Sequence, residues 1–240
     1  MMQFQRLPAF ALKISNQAGR FVCTSSSRAK SFRKMYQEVF TPNLVNKPPY
    51  EHFVQVGDPI LRTKAAEVPE ELVNSKEVNL IAEKMVKVLR KFDCVGVAAP
   101  QIGVSLRIIV MEFSEGLKDH FSKSIYEARK MCTLPLTVLI NPVLSVTNYD
   151  KHKHHEGCMS VRGFSAEVER YDSILIKGTT LEGVEKEMQL SGWNARIAQH
   201  EMDHLDGKLY IDHMDRATFT CTCWETVNTK GGRVEIPFYK

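Results

Sequence analysis

The first 37 residues contain no aspartate and no glutamate. They hold seven basic residues, Arg6, Lys13, Arg20, Arg28, Lys30, Arg33 and Lys34, so a net charge of +4 leaves about −3 for residues 38–240. This absence of acid, together with the run Thr24-Ser25-Ser26-Ser27, is the composition of an organelle-import leader. A basic tail that touches RNA or a ribosome is the other reading. The apolar stretch 7–12 is too short and too interrupted for a secretory signal. No apolar run in the chain approaches the ~20 residues of a membrane span. The six cysteines lack the spacing of a disulfide framework, which favours reduced thiols. No internal repeat is visible. No glycine loop is followed by Lys-Ser or Lys-Thr, which argues against a phosphate-binding loop.

What remains is a chain of 240 residues, 43% hydrophobic, enough for one ordinary core. The expected organisation is a leader over 1–40 with cleavage within 20–45, an extended arm over 41–54 (Pro42, Pro48 and Pro49 keep it out of helix), and a single catalytic domain over 55–240. Residues 76–91 form an amphipathic helix with core positions Leu80, Ile81, Met85, Val88 and Leu89. Strands are expected at 106–112, 136–141, 143–147, 165–169, 173–179 and 185–190, with a polar, partly helical insertion over 114–133. Segregated helices and short antiparallel strands give an α+β fold: short antiparallel sheets enclosing a central helix.

That central helix carries the most informative residues. His200 and His204 are four apart, so on a helix the second imidazole is turned only about 40° from the first. Two converging imidazoles are most of a transition-metal site. Glu201 lies beside them, within reach of a water without having to ligate. His-Glu-x-x-His on a helix is the pattern of metal-assisted hydrolysis. Trp193, Ile197, His200 and His204 follow one helical stripe. Asn194 to Asp206 holds no proline or glycine, and Gly207 suits the position after the helix end. The helix is placed from Ser191 or Gly192 to Asp206, with 209–211 leaving it as a short strand. Trp193 and Ile197 read either as core packing or as pocket wall.

A catalytic site needs a third protein ligand and an open position. Cys158 stands out within Glu156-Gly157-Cys158-Met159-Ser160, because a glycine before it lets the backbone approach a ligand closely. The competitors are His152, His154 and His155, which alternate with lysines as on a solvated loop or edge strand, and Cys221 and Cys223, whose spacing is that of a strand.

Three segments in order resemble the peptide deformylase family: Gly96-Val97-Ala98-Ala99-Pro100-Gln101, then Glu156-Gly157-Cys158-Met159-Ser160, then Gln199-His200-Glu201-Met202-Asp203-His204. Gly57-Asp58-Pro59-Ile60-Leu61-Arg62 is similar to the family's usual start, so the resemblance covers roughly residues 55–215. It implies Cys158, His200 and His204 as metal ligands and Glu201 as general acid and base. It also implies the Gln101 side chain and the Met159 backbone N–H as donors to the oxyanion. Two positions depart from the family pattern: Cys94 stands where a glycine is usual, and Met159 where leucine is common.

The resemblance implies a hydrolase that removes the N-formyl group from the initiator methionine of newly made, organelle-encoded proteins and releases formate. One divalent metal is expected, Fe(II) by resemblance, with Zn(II), Co(II) or Ni(II) able to occupy the site; the ligand set by itself permits zinc or iron. The partner is an N-formyl-methionyl nascent peptide, with the mitochondrial ribosome as a further one, and no DNA. By the resemblance, Trp193 and Ile197 are expected to line the pocket for the methionine side chain, and backbone groups of Val95, Gly96 and Gly157 to pair with the extended peptide. The expected location is the mitochondrial matrix; mitochondria and chloroplasts both make the formyl-methionine that this reading needs. A metallopeptidase with the same metal and Glu201, and a non-catalytic relative that binds nascent chains, are the alternatives. By resemblance, Glu156 and Arg170 pair to hold the Cys158 segment.

Overall fold

The structure, a computed structural model, describes residues 47–238. The leader expected over 1–40, and the start of the arm, fall outside them.

Helix α1 (Lys76–Lys91) begins where the Ser75 side chain accepts a hydrogen bond from Val78 N. That bond satisfies one of the first-turn N–H groups that has no partner within the helix. Glu77 in the first turn, and Arg90 and Lys91 in the last, complement the helix dipole. The range is the one read from the sequence, but the buried face is shifted. Val78, Ala82, Met85, Val88 and Leu89 face the core, while Leu80 is 57% exposed and Ile81 half-buried. Leu80 lies about 200° around the axis from Val78, on the solvent side.

The strands form one antiparallel sheet. Strands β1 (Gly96–Ala98), β2 (Ile108–Phe113), β3 (Leu134–Cys158), β4 (Val161–Thr179) and β5 (Glu185–Ser191) lie in that order, and β6 (Thr220–Cys221) pairs with β4. The segments expected at 136–141 and 143–147 are therefore one strand that runs on to Cys158. Those expected at 165–169 and 173–179 are likewise one. Register shifts after Ile140, Val146 and Asn148 interrupt the alternation without ending the pairing. Residues 149–153 are all exposed, so no apolar pattern marks this part of the ribbon.

Strand β2 is buried on both faces. Ile108 and Val110 pack with Met85, Val88 and Leu89 of α1, whereas Ile109, Met111 and Phe113 pack with Ala195, Ala198 and Leu205. The latter three belong to α3 (Gly192–Leu205), which contacts β1 to β5 and is held within the curve of the sheet. The polar insertion contains a 3₁₀ turn, Glu115–His120, and a short helix α2 (Lys123–Ala128). At the end of α3, Gly207 has φ +71°, and a Cβ there would stand 2.9 Å from the backbone of Arg62. Glycine thus both closes the helix and lets the chain at 62–63 pass.

After α3 the expected strand at 209–211 is not formed. Asp212 accepts a hydrogen bond from Leu209 N at 2.8 Å and bends the chain into a 3₁₀ turn, Tyr210–Asp212. The apolar run misleads because Leu209 and Tyr210 are buried against Cys158, Val161, Ala166 and Val168 without pairing as a strand. A last short helix, α4 (Trp224–Thr229), follows. Helices packed on an antiparallel sheet make the α+β class of the sequence reading. Among the described residues, no helix is long and apolar enough to cross a membrane.

Candidate active site

Cys158 ends β3 and pairs with Val161, so Met159 and Ser160 form the turn of a tight hairpin. An extended segment, residues 50–56, fastens this turn to the one that carries Gln101. Gln55 Nε2 donates to Met159 O at 2.9 Å and Val56 N to Ser160 O at 2.7 Å. On the other side, Tyr50 N donates to Ile102 O and Val54 N to Gln101 O, each at 2.9 Å. Gln101 lies in the 3₁₀ turn Ala99–Ile102, which Gly103 closes at φ +83°. Its side-chain oxygen accepts from Ala98 N at 2.9 Å, which turns the amide nitrogen toward Cys158 Sγ (3.4 Å) and Ser160 Oγ (3.3 Å).

Helix α3 presents His200 and His204 one turn apart, ring centroids 5.0 Å from each other. One ligand atom from each of Cys158, His200 and His204 lies within 4.8 Å of the others. Among the described residues no other trio of His, Cys, Asp or Glu is gathered this way. His152 instead faces Asp172 at 3.2 Å and His155 faces Glu167 at 3.8 Å. Cys221 Sγ lies 3.5 Å from Cys223 Sγ.

The donors fit a metal. His200 Nδ1 is 3.0 Å from Glu156 Oε2, which fixes the proton on Nδ1 and leaves the Nε2 lone pair for a ligand bond. His204 Nε2 is 3.3 Å from Cys158 Sγ, and its Nδ1 is buried without a partner. Burial holds His204 well below the usual histidine range, so the ring is neutral, the form that binds metal. One thiolate and two imidazoles suit zinc or ferrous iron.

Beneath Cys158, His200 and His204 lies a buried ionic cluster. Glu156 accepts from Arg170 Nε and Nη2, both at 3.0 Å, from Arg196 Nη1 at 2.7 Å, and from His200. Arg170 also binds Asp203. Burial alone would raise Glu156, but the His200 hydrogen bond and the Arg170 guanidinium outweigh it and hold the carboxyl well below the usual range. The pairing of Glu156 with Arg170 is the one the family resemblance implied. Arg196 and Asp203 were missed, although both sit on α3 at i−4 and i+3 from His200, the spacings at which helical side chains meet.

Glu201 is buried and its Oε2 has no hydrogen-bond partner. Burial, opposed by the nearby His200, pushes its carboxyl up to about 7. Gly96 gives it room: a Cβ there would stand 2.2 Å from Glu201 Oε1. Gly96→Ala is therefore expected to displace the carboxylate and lower kcat/KM about 100-fold with little loss of stability, since displacements near 1 Å carry costs of this size. Paired steady-state kinetics and thermal melts check it.

A cavity of about 470 Å³ opens onto these groups. Val95 and Gly96 line it from β1, Gly157 and Met159 from the hairpin, and Trp193 and Ile197 from α3, beside Gln101, Cys158, His200 and Glu201. Trp193 is half-buried under the Arg129 guanidinium, 5.0 Å from the ring centroid. Cys94 also lines the cavity and places its sulfur 3.4 Å from Leu89 O; burial pushes its thiol well above the ordinary range.

Residues 50–219 match the model of the polypeptide deformylase family. The chain belongs to the peptide deformylase family. A mitochondrial peptide deformylase of Homo sapiens is 42% identical over 182 residues, which is 76% of this chain and 75% of the human protein. A chloroplastic/mitochondrial deformylase of Arabidopsis thaliana is 45% identical over 166 residues, 69% of this chain and 62% of the plant one. Among solved structures, the Synechococcus elongatus deformylase in complex with actinonin is 29% identical with a TM-score of 0.59, covering 79% of this chain and 90% of that one. A class I type b deformylase of Acinetobacter baumannii with Met-Ala-Ser bound gives 0.60 at 29% identity, covering 68% and 96%. Deformylases are hydrolases that remove the N-formyl group from the initiator methionine, and the motif reading of the sequence is borne out at that level. The metallopeptidase alternative is set aside.

Proposed function

We propose that this deformylase acts on N-formyl-methionyl peptides in the mitochondrial matrix, with Cys158, His200 and His204 holding one Fe(II) ion and Glu201 moving the proton. The observation that carries this reading is the convergence of the three ligands beside a buried carboxylate with one oxygen unpaired. A divalent ion held by Cys158, His200 and His204 would supply Lewis acidity, lowering the pKa of water and polarising a carbonyl. Glu201 Oε2 accepts the proton of the attacking water and passes it to the leaving amine. A carboxyl near 7 is suited to both transfers at neutral pH. The Gln101 amide nitrogen and the Met159 backbone N–H stabilise the oxyanion. Glu156 orients His200 and acts through it.

Backbone groups of Val95, Gly96 and Gly157 pair with the extended peptide, and Trp193 and Ile197 pack on the methionine side chain. The Acinetobacter relative solved with Met-Ala-Ser bound supports a peptide that begins with methionine. The acid-free leader and the mitochondrial names of the relatives support the location.

The test is formate release from formyl-Met-Ala by protein purified without oxygen and loaded with Fe(II) or Co(II). Release from the formyl peptide, with acetyl-Met-Ala left intact, is the expected result. Full metal occupancy without release would turn the reading toward a relative that binds nascent chains without processing them.

A further inference from the structure

Cys221 and Cys223 take no part in the site above, yet they are tied to its wall. Strand β6 sets Cys221 in register with Phe164 and Thr220 with Ser165, and Ser165 faces Gly157 across the hairpin. Between the cysteines, Thr222 donates its backbone N–H to Gly163 O at 2.9 Å and its hydroxyl to the same oxygen at 3.2 Å. Gly163 and Phe164 line the substrate cavity, and Phe164 is stacked on Phe219 with ring centroids 5.2 Å apart. The two thiols are half-buried and their sulfurs are 3.5 Å apart. A disulfide needs about 2.05 Å, so the sulfurs have little further to travel.

We propose that Cys221 and Cys223 form a reversible covalent modification site, a dithiol that a low-molecular-weight disulfide converts to an intrachain disulfide, shifting the cavity wall at Gly163 and Phe164. The first cysteine thiolate attacks one sulfur of glutathione disulfide and expels one glutathione thiolate, leaving a mixed disulfide. The second cysteine thiolate attacks the protein sulfur and expels the other glutathione. Two cysteine thiols are oxidised and one glutathione disulfide is reduced to two thiols, with no other reactant. The preset contact of the sulfurs favours this second step. Ring closure draws the ends of 221–223 together and pulls on the two Thr222 bonds that hold Gly163. Cys158 stands apart, among the metal ligands.

The effect on substrate rests on the deformylase reading; the bond itself does not. The experiment equilibrates the metal-loaded full chain in glutathione buffers of rising disulfide fraction, alkylates free thiols and digests with trypsin. Residues 217–230, between Arg216 and Lys230, carry both cysteines on one peptide. The expected result is loss of two hydrogens from that peptide, reversed by dithiothreitol. With it, KM for formyl-Met-Ala is expected to rise about threefold at unchanged kcat, the pattern of weakened ground-state binding. Cys223→Ser should show neither change. Absence of the two-hydrogen loss, glutathione retained on the peptide, a bond between two chains, or a disulfide with unaltered KM would each overturn the proposal. If the reduced enzyme releases no formate, it is the deformylase reading that has failed, and the peptide mass still decides the bond.

Discussion

Glu201→Gln is expected to lower formate release by about 10³-fold, the range spanned by loss of a general acid–base group, while the protein keeps its metal. Glutamine preserves the shape of a side chain wedged against Gly96, so the change isolates proton transfer from packing. Glu201 is not among the three converging donors, and metal content measured on the same samples should match the parent. A second consequence follows from its titration. The folded protein raises this carboxyl from 4.5 to about 7, so the native state binds more protons than the unfolded one between those values. Stability contributed by the protonated form is present below 4.5 and is lost as pH rises through 7. A shift of this size amounts to roughly 3 kcal/mol at alkaline pH. With metal removed from both proteins, Glu201→Gln should therefore melt above its parent at pH 8, and the gap should close near pH 5. A variant that keeps parental formate release removes Glu201 from the mechanism.

Glu156→Gln is expected to destabilise the fold by about 3–5 kcal/mol, because it removes the carboxylate that two buried guanidinium groups share, leaving Arg170 with Asp203 and Arg196 with backbone carbonyls. Arg170 and Arg196 both point at Glu156 from buried positions, and an amide can accept from them but cannot balance them. The same change slackens the hydrogen bond that fixes the His200 ring, and lost partners of this kind cost about 10–100-fold in metal affinity. Urea unfolding reads the first effect and chelator competition the second. Arg170→Ala provides the contrast. It leaves Glu156 with Arg196 and His200 as partners, so metal retention should fall by less than in Glu156→Gln. Equal retention in all three proteins would show that His200 is positioned by the helix alone.

The parts of this site differed in how far they could be read from sequence. His200 and His204 were legible because helical geometry fixes their relation locally, and the same holds for Glu201. Cys158 was legible only through the motif around it. Its approach to α3 depends on a long β3–β4 ribbon whose register is set by bulges and whose surface is largely polar, so neither alternation nor hydrophobicity announces it. Arg196 and Asp203 escaped notice because a search for apolar stripes treats a charge on a buried helix as solvent-facing. Leu80 failed in the opposite sense: an apolar residue was assigned to the core although it lies about half a turn round the axis from the true stripe. The stretch after α3 turned on one side chain, Asp212, whose bond to Leu209 N outweighs the strand preference of the residues between them.

Residues 50–56 set a limit on how far the amino end can be shortened. They are a strap stitched on one edge to the Gln101 turn and on the other to the Cys158 turn, and the family match begins at residue 50. Any peptidase that shortens this chain from its amino end has to stop before Tyr50, or it cuts the stitching that keeps the two turns in step. A chain clipped a few residues too far is then expected to lose activity while keeping Gln101, Cys158, His200, Glu201 and His204.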